Sequence, residues 1–239
     1  MLTFHHPYQK NIIIIKKKSY PLLLLLLLLL LACQTSTKKS TESIITESTA
    51  ELAKEVKAEF IRSWNDYKTY AWGHDVLLPL SKGHHDWYEE SLHISPIDAY
   101  STMKVMGLEQ EAKEVEDYII NEVSWEKDLY VKTFEVNIRI LGGMLAMYQY
   151  TKDLVILERI EDFGQRMLKA FDSPTGIPYY FFNLKTGEVK GEKVNVAEAA
   201  SYMFEMGILS HYTGNPVYYQ TAKKADFKQE EVNKNLGIQ

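Results

Sequence analysis

The sequence predicts an all-α fold with one inserted β-hairpin. Three observations carry this. Apolar residues recur at helical spacing in successive stretches from Thr49 onward. Cap and turn residues punctuate those stretches at short intervals. One segment, 176–191, breaks the helical period and holds a tight-turn signal at Lys185-Thr186-Gly187-Glu188.

In chain order, Leu52, Val56, Phe60, Trp64, Tyr67 and Ala71 mark one face of a long first helix. Ser48 and Glu51 stand at capping-box spacing at its start. A loop through Gly73 and Gly83 follows, dense in His, Asp and Trp. Tyr70-Ala-Trp-Gly-His-Asp75 places a histidine beside an aspartate there, and His84-His85 follows. No second ligand cluster at metal spacing accompanies them, so the expectation is a structural loop held by His and Asp hydrogen bonds. Ser95-Pro96 reads as N-cap and first residue of a second helix, which ends near Gly107. Leu108, Ala112, Val115 and Ile119 mark a third helix. Phe134, Ile138, Leu141, Leu145 and Tyr148 mark a fourth, and Ile156, Ile160, Phe163 and Met167 a fifth. The hairpin comes next, with Ile177-Pro-Tyr-Tyr-Phe-Phe182 before its turn. Asn195 opens a sixth helix through about His211, and Asn215-Pro216 opens a seventh. Helical bundles, helical-hairpin solenoids and α/α toroids all fit this string. The lack of a tight internal repeat weighs against a solenoid.

The first 33 residues read as a targeting segment. Lys16, Lys17 and Lys18 precede an unbroken leucine run, Leu22 to Leu31, and then Ala32 and Cys33. This is the order of a secretory signal, and the run is too short to span a bilayer, which takes about 20 apolar residues. Leu30-Leu-Ala-Cys33 resembles a bacterial lipobox, which implies lipidation of Cys33 and a membrane-anchored lipoprotein. An ordinary signal peptide and a short signal anchor are the alternatives, and all three place the domain outside the cytosol. Cys33 is the single cysteine, which excludes an intrachain disulfide and a Cys-based metal site. Residues 34–48, rich in Ser, Thr, Lys and Glu, read as a flexible polar linker. The organisation is therefore 1–33 signal, 34–48 linker and 49–239 domain. A net charge of -5 and the lack of a basic face argue against nucleic acid as partner.

Two stripes carry chemistry. On the fourth helix Glu135, Arg139, Gly142 and Ala146 share a face. A surface i, i+4 ion pair would explain the first two and contribute only a few tenths of a kcal/mol. Glycine in a helix interior costs about 1 kcal/mol relative to alanine, so Gly142-Gly143 calls for a packing or site explanation. On the sixth helix Glu198, Tyr202 and Glu205 share a stripe. The plainer readings there are a capping box from Asn195 to Glu198 and a solvated face at Glu205.

Four blocks, in order, resemble glycoside hydrolase family 47, the class I α-1,2-mannosidases. They are Trp64-Asn-Asp-Tyr67 with Tyr70 to Asp75; Phe134-Glu-Val-Asn-Ile-Arg-Ile-Leu-Gly-Gly143; Phe171-Asp-Ser-Pro-Thr-Gly-Ile-Pro178 with Asn183-Leu-Lys-Thr-Gly187; and Ala197-Glu198, Phe204-Glu205 and Leu209 to Pro216. The resemblance spans about residues 60 to 225. It implies an (α/α)7 barrel of helical hairpins, of which about three are present, and inverting hydrolysis of terminal α-1,2-linked mannose with a bound Ca²⁺. By position Glu135 matches the family's general acid and Arg139 a sugar-binding arginine. Glu198 and Glu205 match acidic residues of a pocket-facing helix, and Asp98 survives in a block that otherwise drifts. There Ile97-Asp-Ala-Tyr-Ser-Thr-Met103 stands where the family reads Asp-Ala-Leu-Asp-Thr-Leu. Trp87-Tyr-Glu-Glu-Ser-Leu-His-Ile94 is likewise atypical. The family's base candidates and its calcium-binding threonine lie in its C-terminal half, so no residue here is assigned as base or calcium ligand. The expectation is an α-mannosidase, incomplete in this chain, acting on mannose-containing glycans. The alternative is a non-catalytic helical domain that binds glycan or a second chain completing the barrel.

Overall fold

A computed structural model describes residues 37–236, with side chains for 48–226. The signal segment and Cys33 lie outside the described residues. The chain divides into two compact units at Glu59 and Phe60.

The first described element, α1 (Thr37–Tyr70), runs through that boundary. It begins well before the start expected at Ser48, so Ser48 and Glu51 sit inside a helix and cap nothing. In the first unit, Leu52 and Val56 of the expected apolar face are 59% and 49% exposed. Glu51, Lys54, Glu55 and Lys57 surround them and keep this stretch solvated. In the second unit the same face is buried from Trp64 through Tyr67 to Ala71.

The rest of the second unit is three helical hairpins, among the described residues, and two small antiparallel sheets. After β1 (Val76–Leu78) and β2 (Gly83–His85) come α2 (Ile94–Val105) and α3 (Glu109–Glu122). Next is β3 (Tyr130–Lys132), which runs directly into α4 (Thr133–Val136), a π-helical turn (Asn137–Leu141) and α5 (Gly142–Thr151). These three helical pieces form one continuous helix. α6 (Leu154–Met167) returns antiparallel to it and ends in a 3-10 turn (Leu168–Phe171). Strands β4 (Phe181–Asn183) and β5 (Val189–Lys190) follow, then α7 (Val196–Ala199), α8 (Met203–Thr213) and α9 (Val217–Leu236). Helices α2, α5 and α8 pack side by side, and α3 packs on α6 in a second layer.

Sequence explains most of the boundaries. Asp153 accepts the amide of Val155 at 2.8 Å and starts α6. Asn215 accepts the amide of Val217 at 3.1 Å and starts α9. Arg159 on α6 donates to the carbonyls of Ile120 and Val123, which closes the C-terminus of α3. The expected sixth helix is two pieces, broken at Ala200–Tyr202.

The start of α2 differs from expectation. Ser95 does not cap it; its hydroxyl donates to the carbonyl of Asp75. The cap comes instead from the Asp75 side chain, 1% exposed. Its Oδ1 accepts from Ser91 Oγ at 3.0 Å and from the amides of Leu92 and Ile94 at 2.8 and 3.1 Å. Its Oδ2 accepts from the Trp87 amide at 3.1 Å. A buried anion at a helix N-terminus satisfies donors that the helix cannot. His74 bonds Asp86 at 2.9 Å and stacks on His84 at 3.5 Å. The loop is thus structural, as its composition predicts.

The hairpin forms as predicted around Gly187, whose φ of 72° is left-handed. Asn183 Oδ1 accepts the amides of Lys185 and Thr186, each at 2.9 Å, and shapes the turn. The sequence does not foresee the third strand. β3 pairs with β4 in the register Tyr130↔Asn183, Val131↔Phe182, Lys132↔Phe181, and β4 pairs with β5 through Phe181↔Lys190 and Phe182↔Val189. Alternation sends Val131 and Phe182, both 0% exposed, into the core. Lys132 and Phe181 therefore share the opposite face.

Candidate active site

The sheet fixes where the first residues of α4 begin. The Thr133 amide donates to Tyr180 O at 2.9 Å, and the Thr133 hydroxyl donates to Tyr179 O at 2.7 Å. The first of these bonds satisfies an orphan backbone donor at the helix start, and the second ties the Thr133 side chain to the same segment. Glu135 sits in that first turn, where a carboxylate is favoured by the helix dipole.

From Glu135 a row of charges runs in both directions. Arg139 Nε donates to Glu135 Oε2 at 3.1 Å, and Arg139 Nη1 donates to Asp98 Oδ2 of α2 at 2.7 Å. On the other side Lys132 Nζ lies 3.6 Å from Glu135 Oε1 and 2.8 Å from Glu198 Oε1 of α7. The order is Glu198, Lys132, Glu135, Arg139, Asp98: carboxylate, ammonium, carboxylate, guanidinium, carboxylate. None of these side chains is more than 36% exposed. The Arg139 guanidinium also lies 5.1 Å from the ring centroid of Trp87, a favourable cation–π placement.

The expected glycine pair divides its work. A Cβ on Gly142 would meet Glu205 Cγ at 3.5 Å, an ordinary contact. A Cβ on Gly143 would lie 2.6 Å from Ile97 Cγ2 and 3.0 Å from Ile97 O. Gly143 therefore lets α5 and α2 approach closely, and the next residue of α2 is Asp98. This packing sets the reach from Asp98 to Arg139.

Glu205 of α8 stands on the same layer but joins a different group. Its Oε2 accepts from Asn137 Nδ2 at 2.9 Å. Asn137 is 0% exposed and opens the π turn, and its Oδ1 has no partner. π turns are frequent at functional sites.

Burial and partners tune these groups. Burial raises the Glu205 carboxyl, against the opposing bond from Asn137. Burial likewise raises Asp98, while Arg139 pulls it the other way. The bond to Glu198 raises Lys132 well above the usual lysine range, so it remains an ammonium. Partial burial opposes the Arg139 charge, but its bonds to Asp98 and Glu135 outweigh that and raise it.

All five predicted side chains of the domain thus meet the helix formed by α4, the π turn and α5, directly or through one partner. Asn195 does cap α7, accepting the Glu198 amide at 2.8 Å. The Glu198 carboxylate, however, turns to Lys132 rather than completing a capping box. Lys132 and Asn137 escaped the sequence reading. The lysine stands three residues before Glu135, a spacing that could have flagged it; nothing in the sequence marks Asn137 as buried. An open groove of about 390 Å³ lined by Trp64, Tyr67, Ser95 and Asp98 adjoins the row. A larger one, about 720 Å³ between Ser173–Tyr179 and Glu192–Val196, holds none of the predicted residues. Among the described residues no group of three or more His, Cys, Asp or Glu side chains is placed to hold a metal. The calcium implied by the resemblance finds no cradle there. No described helix is long and apolar enough to cross a membrane.

The chain is similar to known α-mannosidases. It is 37% identical over 190 residues to the endoplasmic reticulum mannosyl-oligosaccharide 1,2-alpha-mannosidase of Rattus norvegicus, covering 78% of this chain and 28% of that protein. It is 35% identical to the corresponding enzyme of Schizosaccharomyces pombe, covering 71% and 33%. Among solved structures, the alpha-1,2-mannosidase from Trichoderma reesei superposes with a TM-score of 0.67 at 29% identity, over 72% of this chain and 39% of that one. The chain thus spans about a third or less of the length of these curated relatives. Its helical hairpins and inserted sheet are part of the (α/α)7 barrel fold. The Glycosyl hydrolase family 47 model matches residues 59–237, and the chain belongs to that family.

Proposed function

We propose that this chain carries the general-acid side of an inverting α-1,2-mannosidase site, built to hold a terminal mannose of a mannosyl-oligosaccharide. The observation that carries the reading is the alternating row from Glu198 to Asp98. A sugar hydroxyl both donates and accepts. A row of carboxylates interleaved with cations offers each hydroxyl of a vicinal pair an acceptor and a donor at once. In this reading Glu135 protonates the leaving oxygen. Arg139, fixed through Nε and Nη1, presents its remaining nitrogen to the sugar. Asp98, Glu198 and Glu205 complete the polar wall. Inversion needs a second carboxylate roughly 6.5–9.5 Å away to activate water, and the reading assigns that role to no residue of this chain. Calcium belongs to the same whole-enzyme reading, and no acidic or histidine cluster among the described residues is placed to hold it.

Export belongs to the proposal too, with lipidation of Cys33 as its anchor. Its support is the order Lys16–Lys18, Leu22–Leu31, Cys33 in the sequence.

The test is α-1,2-mannobiose with the purified 239-residue chain. Binding in the millimolar range, weakened at least tenfold by Arg139→Met, is expected. Failure of the unaltered chain to bind would sink the reading. Hydrolysis is expected to stay at the level of Glu135→Gln, because water activation lacks its base. Clear turnover, lost in Glu135→Gln, would overturn the assignment of the base to residues outside this chain.

A further inference from the structure

Lys132 lies outside the four blocks' acid and arginine positions, yet it stands between two of the carboxylates placed in the site. It comes from β3, Glu135 from α4 and Glu198 from α7, so one side chain joins three elements. Its amide is fixed as well, donating to the Tyr88 hydroxyl at 3.0 Å. The ammonium lies 4.9 Å from the Tyr180 ring centroid, so the aromatic face closes its remaining side.

We infer that Lys132 is a positioning residue for glycan binding, the link that makes Glu135 and Glu198 one site. This rests on the reading of the row as a mannose-binding surface. Without the ammonium, Glu198 loses its cation and Glu135 keeps only Arg139. The row then holds three carboxylates against one guanidinium. At partial burial such like charges separate or take up solvent, because the strong screening that water gives exposed charges is reduced there. The carboxylates would then no longer stand where adjacent sugar hydroxyls meet them. Positioning also needs both ends of the clamp: Glu135 is gripped at Oε2 by Arg139 and approached at Oε1 by Lys132, which fixes the plane of its carboxyl group.

The chemistry favours a neutral sugar diol over an anionic ligand. Both cations already face carboxylates, so an anion would have to displace them. A hydroxyl pair needs only to slot between charges of alternating sign.

The experiment measures α-1,2-mannobiose affinity by calorimetry on the full chain, with melting temperature recorded for each variant. Lys132→Met should weaken binding at least tenfold, and Lys132→Arg should stay within about threefold. Both should melt within a few degrees of the parent. Adding Lys132→Met to Glu198→Gln should weaken binding far less than Lys132→Met does in the parent, since the charge it neutralises is gone. If Lys132→Met melts too low to assay, Lys132→Gln takes its place. Parent-like affinity in Lys132→Met, or full additivity with Glu198→Gln, would overturn the inference alone. Failure of the parent to bind mannobiose would remove the reading beneath it and the inference together.

Discussion

Adjacent glycines on one helix should respond to the same substitution with opposite sign. Alanine in place of glycine in a helix interior gains about 1 kcal/mol from propensity. At Gly142 little opposes that gain, because the new methyl would touch Glu205 Cγ at an ordinary 3.5 Å. Gly142→Ala is expected to stabilise by up to about 1 kcal/mol, a Tm rise of about 2–4 °C for a chain of this size. At Gly143 the methyl would lie 2.6 Å from Ile97 Cγ2, 3.0 Å from Ile97 O and 3.3 Å from Ile97 C. Two of those atoms are backbone of α2, so no rotamer change relieves the clash. Overpacking of this kind costs about 1–3 kcal/mol, and the helices must part to accommodate it. The net for Gly143→Ala is a loss of up to about 2 kcal/mol, read as a Tm fall of up to about 8 °C. Because Asp98 follows Ile97, the same shift should lengthen the Asp98–Arg139 bond and weaken mannobiose binding. Thermal unfolding of the two variants beside the parent decides the matter. A Gly143→Ala protein as stable as Gly142→Ala would refute the close approach of α5 to α2.

Two further perturbations test the supports of the site. Asp75→Asn keeps one acceptor but turns an amide donor toward the Trp87 N–H or the cluster at Oδ1, so at least one buried donor loses its partner. A loss of about 2–4 kcal/mol is expected, visible as a lower urea midpoint at unchanged slope; a loss below about 0.5 kcal/mol would contradict the capping role. Glu205→Gln tests burial of the carboxyl. Because Glu205 is raised above its ordinary 4.5, its favourable contribution is complete below that value and is lost as pH climbs through the folded one. Glu205→Gln should therefore melt higher than the parent at pH 7, with the gap closing toward pH 4. A gap of the same size at both pH values would show that ionisation of Glu205 plays no part.

What could be read from the sequence follows the range of each signal. The helices α3, α5 and α6 appear in the 3.6-residue pattern because each buries a single stripe, as Ala112, Val115 and Ile119 of α3 do, whereas α2 shows through Pro96 at its start and Gly107 at its end. The hairpin at Gly187 was legible because its turn chemistry is local. β3 was not, since Tyr130-Val131-Lys132 is too short to show a period and is defined only by its partner β4. The π turn escaped for a related reason: Glu135 and Arg139 fit uninterrupted α spacing, and the extra residue shows only in backbone bonding. The break at Ala200–Tyr202 left no proline or glycine behind. Ser95 misled because it has the residue type of a cap, while the true cap, Asp75, lies twenty residues earlier. The family blocks single out Glu135, Arg139, Glu198 and Glu205 as expected site residues, and Asp98 comes from a stretch between them that otherwise drifts. Spacing alone leaves Glu135 and Arg139 readable as an ion pair, Glu198 as part of a cap and Glu205 as a solvated face.

The placement of Glu135 depends less on its own ion pairs than on backbone bonds that the ion pairs merely extend. Side-chain pairs between partly exposed groups contribute about a kcal/mol or less each, and long side chains such as Lys132 and Arg139 could reach many targets. What restricts them is where their Cα atoms stand. The Leu184 amide to Leu129 O at 3.0 Å and the Thr133 amide to Tyr180 O at 2.9 Å fix β3 and the first turn of α4 against the hairpin. The Asp75 cluster fixes the start of α2, and Gly143 fixes its distance from α5. These three anchors are independent in sequence and meet at one helix. Disturbing any one of them should misplace Glu135 relative to Asp98 or Glu198 by a fraction of an ångström, and a site of this kind tolerates only about 0.5 Å. Polar groups on rigid elements with fixed backbone origins bind a sugar more tightly than the same groups on loops, because less freedom is lost on binding. The sheet, which carries no predicted site residue, is therefore part of the site.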